Sequence, residues 1–154
     1  MNEAIAAGNL EPTQDERTMA MLAHALQLIG SWIAPLIIFL INRKSRFVSF
    51  HALQALLLQI AHVIVVVVFF VGWFTLMFTT IVVQGTAKPP GQPPIVLFLI
   101  FPLLWLVLIG TWITVLIFAI MYTVKAGRGE WAEYPVLGRI ARRILKIGPG
   151  GTVV

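Results

Sequence analysis

Two sets of polar side chains stand inside otherwise apolar stretches of this chain. His24, Gln27 and Ser31 are spaced i, i+3, i+7 and share one stripe of a helix. His51, Gln54 and His62 fall within a helical sector of roughly 80 degrees, with Gln59 at its border. Polar groups in hydrocarbon are costly without partners, so both stripes must face protein or water rather than lipid. Three chemistries suit such a pair of stripes. The plainest is hydrogen bonding that ties the helices together. The second is a polar path for a proton, a solute or a polypeptide. The third is ligation of a b-type haem by two imidazoles on facing helices. If the helices run antiparallel, His24 and His62 come to similar depth. His51 lies within one turn of a basic loop, where it could snorkel to the interface.

What is missing narrows the field. The apolar runs contain no carboxylate, and the acids nearest to them are Asp15, Glu16, Glu130 and Glu133. Paired-carboxylate catalysis and carboxylate metal sites therefore lack residues. There is no cysteine, and three histidines alone make a weak metal signal. No Walker loop and no GxGxxG occurs. An enzyme is not expected. No cofactor is expected either, haem being the one exception weighed.

The elements that must position these residues are set by charge. Asp, Glu, Lys and Arg are absent from Thr18 to Asn42, from Val48 to Ala87 and from Pro89 to Val124. About 20 apolar residues cross the ~30 Å hydrocarbon core as a helix, and each run exceeds that. The expected fold class is all-α, an integral membrane helical bundle. It has three transmembrane helices, at 18–41, at 48–73 with an extension to 83, and at 95–124. A fourth would arise if the long second run split. Gly30 and Pro35 predict a kink in the first span. The prolines of 84–94 break the chain between the second and third. Residues 1–16 read as a flexible acidic tail with no signal-peptide character, 17–147 as one domain, and 148–154 as a second flexible tail. Trp131 and Tyr134 suit a membrane interface. Gly110 and Thr114 form a small-xxx-small pair in the third span.

An amphipathic helix is expected at 136–147. Arg139, Arg142, Arg143 and Lys146 share one face and Leu137, Ile140, Ala141 and Ile144 the other, a pattern suited to lying on an anionic membrane surface. With Arg43, Lys44 and Arg46 of the first loop, these side chains could hold lipid headgroups or an acidic partner protein. The formal charge of +5 is therefore assigned to the membrane and not to nucleic acid. With three spans, nine basic residues lie on one side and only Arg17 and Lys88 on the other. The positive-inside rule then places the C-terminus in the cytoplasm and the N-terminus outside a bacterial cytoplasmic membrane.

Two segments carry a resemblance. One is Arg46-Phe47-Val48-Ser49-Phe50-His51-Ala52-Leu53-Gln54-Ala55-Leu56-Leu57-Leu58-Gln59. The other is Lys125-Ala126-Gly127-Arg128-Gly129-Glu130-Trp131-Ala132-Glu133-Tyr134-Pro135. With Glu16-Arg17-Thr18-Met19-Ala20-Met21-Leu22-Ala23-His24 and Pro35-Leu36-Ile37-Ile38-Phe39-Leu40 ahead of them, they resemble a family of small bacterial membrane proteins. That family is similar in turn to the chloroplast inner-envelope import component of the Tic machinery. The resemblance spans roughly residues 16–145. It implies that His24, His51, Gln54, Gln59, Glu130, Tyr134 and Pro135 are family-pattern positions, and that a Tic-like translocation role is one reading. The size and composition favour another, a non-enzymatic accessory or scaffold subunit packed against other membrane proteins.

Overall fold

The computed structural model describes residues 11–86, 95–148 and 151–152. These form five helices and no strand: α1 (Gln14–Gly30), α2 (Ile33–Ile41), α3 (Arg46–Thr86), α4 (Ile95–Gly127) and α5 (Leu137–Leu145). They fall into two compact units. The first comprises residues 1–60 with 115–154, and the second comprises residues 61–114.

The first apolar run is not one membrane helix, which corrects the expected span at 18–41. It is two helices of 17 and 9 residues. At ~1.5 Å per residue neither reaches across ~30 Å of hydrocarbon. The break has a local cause. Pro35 lacks an N–H and its ring would clash with the carbonyl of residue 31 in a continuous helix. Ser31 accordingly sits at φ 49°, outside helical space, and α2 restarts with Pro35 in its first turn. A Cβ on Gly30 would lie 2.8 Å from that of Ala34, so only glycine allows the chain to fold back this closely.

The two helices form a hairpin. Ala23 of α1 and Ile38 of α2 meet in one buried cluster with Val48 and Ala52 of α3. The Ser45 hydroxyl, just beyond α2, lies close to Glu16 in the first turn of α1 and, with the Thr13 backbone, holds its carboxyl below the ordinary range. The run therefore ends beside the place where it began.

α1 begins earlier than the expected tail allows. Thr13 caps it through a reciprocal pair of bonds with Glu16, the Glu16 N–H donating to Thr13 Oγ1 at 3.2 Å and the Thr13 N–H to Glu16 Oε2 at 2.8 Å. The order in residues 11–16 thus has a mechanism, and residues 1–10 lie outside the described part.

α3 is a single helix of 41 residues, about 60 Å long. It passes both expected end points, 73 and 83. Its buried residues all fall between Phe47 and Gln59. Beyond Ile60 its side chains are half-buried or exposed, and they are almost wholly apolar. α4 runs through the expected third span and contains Pro102. Two helices, 46–86 and 99–127, are long and apolar enough to cross a membrane. Most of the loop expected at 84–94 lies outside the described residues, and its first three residues continue α3.

Within the first unit, Ala20, Phe47 and Ala126 form one buried cluster. It joins the start of α1, the start of α3 and the end of α4. α1 and α3 consequently run parallel here, because α2 has already carried the chain back. The antiparallel pairing that would match His24 with His62 does not occur.

Candidate functional site

The site is built around an extended segment, residues 130–134, which has no regular structure. Tyr134 within it is 1% exposed, so it is a core residue and not the interface residue expected. Trp131 likewise packs edge-on against Phe47 at 5.2 Å and beside Phe50 at 5.5 Å. An irregular backbone buried in apolar surroundings must find partners for its N–H and C=O groups. The polar stripe of α3 supplies them. His51 Nε2 lies 3.0 Å from the Glu130 carbonyl, and Gln54 Nε2 donates to the Ala132 carbonyl at 3.2 Å. Gln54 Oε1 accepts from the Tyr134 N–H at 2.7 Å. Successive carbonyls of an extended chain point to opposite sides. Those of residues 130 and 132 meet α3, whereas that of Glu133 accepts the Tyr122 hydroxyl of α4. One extended segment is thus fastened to two helices by the alternation of its own backbone.

The two histidines stand at the centre, both 0% exposed. His51 is therefore a buried bridge and does not snorkel. Its ring lies within 4.6 Å of the Phe47 ring and 5.5 Å of the Phe50 ring. His24 Nε2 is 3.0 Å from His51 Nδ1, and His24 Nδ1 is 2.9 Å from the Tyr134 hydroxyl. The direction of these bonds follows from one end. A backbone carbonyl can only accept, so His51 Nε2 carries a proton and, in a neutral ring, His51 Nδ1 accepts. His24 Nε2 must then donate, which leaves His24 Nδ1 to accept from Tyr134. The relay runs Tyr134 O–H to His24, His24 to His51, and His51 to the Glu130 carbonyl. Every ring nitrogen is used with both imidazoles neutral. Burial holds the Tyr134 phenol well above its ordinary value, so it stays a donor.

The remaining polar residues divide. Gln59 Nε2 donates to the Gln27 carbonyl at 3.0 Å, a genuine bond between α1 and α3. The Gln27 carboxamide is 1% exposed and borders Tyr134, with neither of its polar atoms in strict hydrogen-bond geometry. Ser31 leaves the stripe because it forms the turn after α1. His62 belongs to the second unit.

The geometry does not support haem ligation between His24 and His51. An iron bound to two imidazoles needs ~2 Å on each side, by analogy with other metal–imidazole bonds. His24 and His51 bond directly across 3.0 Å and leave no room. Among the described residues no three His, Asp or Glu side chains gather as a metal-ligating group.

The basic residues also differ from expectation. α5 is shorter than the expected 136–147. Gly138 and Ala141 are buried, whereas Ile140 and Ile144 are exposed and the Arg142 side chain is only 14% exposed. Arg142 pairs with Glu133 at 2.5 Å, donates to the Gly148 carbonyl and lies 5.2 Å from the Phe50 ring. Its place is structural. A Cβ on Gly138 would come 2.7 Å from that of Glu133 and 2.9 Å from Gln54 Oε1, so glycine lets α5 close onto the clamped segment. Arg43 lies over the Phe39 ring at 5.9 Å. Lys44 and Arg46 flank the turn between α2 and α3.

Tyr122 and Glu133 were not legible as site residues. Tyr122 sits in a span without a polar stripe, and only its contact with the Glu133 carbonyl reveals it. Tyr134 was marked by the resemblance, and by its residue type only as an interface aromatic.

The family model for magnetosome magnetite crystal formation proteins matches residues 15–141. The chain belongs to that family. The match covers α1 to α4 and most of α5, including the whole relay. No curated protein and no solved structure matches the chain. The small bacterial membrane family expected from the two motifs is thereby found. No link to the Tic import component emerges, and the translocation reading loses its basis.

Proposed function

We propose that this protein is a non-catalytic scaffold of the magnetosome membrane, acting on magnetite crystal formation by organising other membrane proteins or lipid. The observation that supports it is the relay. Both histidines are neutral, buried and fully bonded, so the strongest candidates for chemistry are already consumed in holding a segment of chain. What remains on the outside is apolar surface along α3 and α4, and basic side chains near their shared end.

The proposal includes a topology. α3 leaves the first unit and α4 returns to it, while the α1–α2 hairpin does not cross. Two crossings place both ends of the described chain on one side. Ten of the eleven Lys and Arg residues then share that side, Lys88 alone being opposite, which strengthens the positive-inside bias and assigns the folded unit to the cytoplasm. The largely exposed apolar lengths, 61–86 and 99–114, lie in the crossing segments. The connection at 84–94 carries no carboxylate, so the side facing the crystal has little with which to bind iron. The effect on the crystal is accordingly indirect.

The test is deletion of the gene in a magnetosome-forming bacterium, with electron microscopy of the crystals and affinity purification of the tagged protein from magnetosome membranes. Altered crystal size or shape, restored by the parent chain, together with a stoichiometric membrane-protein partner, is the expected result. Unaltered crystals in the deletion strain refute a role in their formation. Magnetite nucleation by the pure protein in liposomes refutes an indirect one.

A further inference from the structure

The wheel of α5 carries three faces. Gly138 and Ala141 pack inward. Val136, Ile140 and Ile144, at i, i+4, i+8, form a ridge that is 58%, 40% and 56% exposed. Arg139, Arg143 and Lys146 form a basic edge beside that ridge on the outer side. A cavity of about 410 Å³ opens at the end of this edge, lined by Arg142, Arg143, Lys146 and Ile147. Arg142 is neutralised by Glu133. Arg143 and Lys146 make no ion pair among the described residues. Lys146 is held in the left-handed conformation at φ 52°, ending the helix at the cavity. Two uncompensated cations therefore converge on a small concavity, with an exposed apolar ridge beside them.

From this we infer that the cavity binds the phosphate group of an anionic phospholipid, whose acyl chains lie along the Val136–Ile140–Ile144 ridge. The inference rests on the membrane placement proposed above and deepens it, because it names a specific lipid site where diffuse attraction alone would need none. A soluble anion would use the cations and leave the ridge bare. A zwitterionic lipid would use the ridge but carries a compensating ammonium. Of the three, the anionic lipid alone satisfies both.

The experiment is native mass spectrometry of the full chain in detergent, titrated with phosphatidylglycerol or phosphatidylcholine. The parent should retain one phosphatidylglycerol in preference to phosphatidylcholine. Near an anionic surface each Lys or Arg contributes about fivefold, so R143Q/K146Q should weaken that preference roughly 30-fold. R139Q removes one charge from the same edge outside the cavity and should change it little. Millimolar inorganic phosphate should not displace the lipid. Equal retention of both lipids by the parent overturns the inference, as does an unchanged preference in R143Q/K146Q with parental helicity by circular dichroism. A loss in R139Q as large as in R143Q alone means diffuse attraction, and displacement by phosphate means a soluble-anion site. None of these results bears on the crystal phenotype of the deletion strain, so this inference and the proposed function fail separately.

Discussion

His51→Leu is the sharpest test of the relay. The substitution removes two hydrogen bonds, leaving the buried His24 Nε2–H without a partner and freeing the part-buried Glu130 carbonyl. An orphaned buried group costs about 1–3 kcal/mol, and the carbonyl of exposed Glu130 can turn to water, so the loss is roughly 1–3 kcal/mol. Leucine keeps the apolar contact with Phe47 and Phe50, so little of this loss is packing. For a chain of this length 1 kcal/mol lowers Tm by ~2–4 °C, which predicts a fall of more than about 2 °C in detergent. The loss should be local in its structural effect. Residues 128–135 should become sensitive to protease while the helical circular dichroism of α3 and α4 is kept. A double-mutant cycle with Tyr134→Phe should show coupling of about 0.5–3 kcal/mol, since both residues act through His24. A Tm within about 2 °C of the parent's, or additive effects in the cycle, would refute the directional account, because bonds that hold nothing cost nothing to remove.

Other perturbations follow from the same geometry. Gly138→Ala should lower Tm by the equivalent of about 1–3 kcal/mol, because its Cβ would strike Glu133 and Gln54; a rise, as helix propensity alone favours, would show that α5 is not seated as described. Stability should fall at both ends of the pH scale. The Tyr134 phenol is raised, so its contribution is complete below its ordinary value near 10 and is lost as pH climbs beyond it, readable as an alkaline unfolding step absent from Tyr134→Phe. The Glu16 carboxyl is lowered, so its contribution is present above 4.5 and is lost on acidification, a loss that Glu16→Gln should abolish. The chain has no cysteine, so single substitutions report topology cleanly. Thr13→Cys and Arg139→Cys should react with an impermeant thiol reagent from one side and Gln84→Cys from the other; Thr13→Cys reacting alongside Gln84→Cys would restore three crossings.

Several features were settled by the sequence alone. The second and third charge-free runs are long enough to cross a bilayer, and α3 and α4, the two described helices long and apolar enough to do so, lie where those runs are. Of the stripe residues, His24, Gln27, His51, Gln54 and Gln59 are buried, in keeping with the cost of a bare imidazole or carboxamide in hydrocarbon. Tertiary structure alone decided what the stripes face. Hydropathy cannot tell a 24-residue crossing from a hairpin of 17 and 9, since both are equally apolar; the clash between Pro35 and the carbonyl of residue 31 makes that choice. Once the hairpin forms, α1 runs parallel to α3, and His24 meets His51 in place of His62. The third partner, residues 130–134, lies about 80 positions further along and carries no periodic signal. Its role appears only when its alternating carbonyls are seen to reach α3 on one side and α4 on the other. Periodicity reports which face of an element is buried, and contact between distant segments of the chain decides against what.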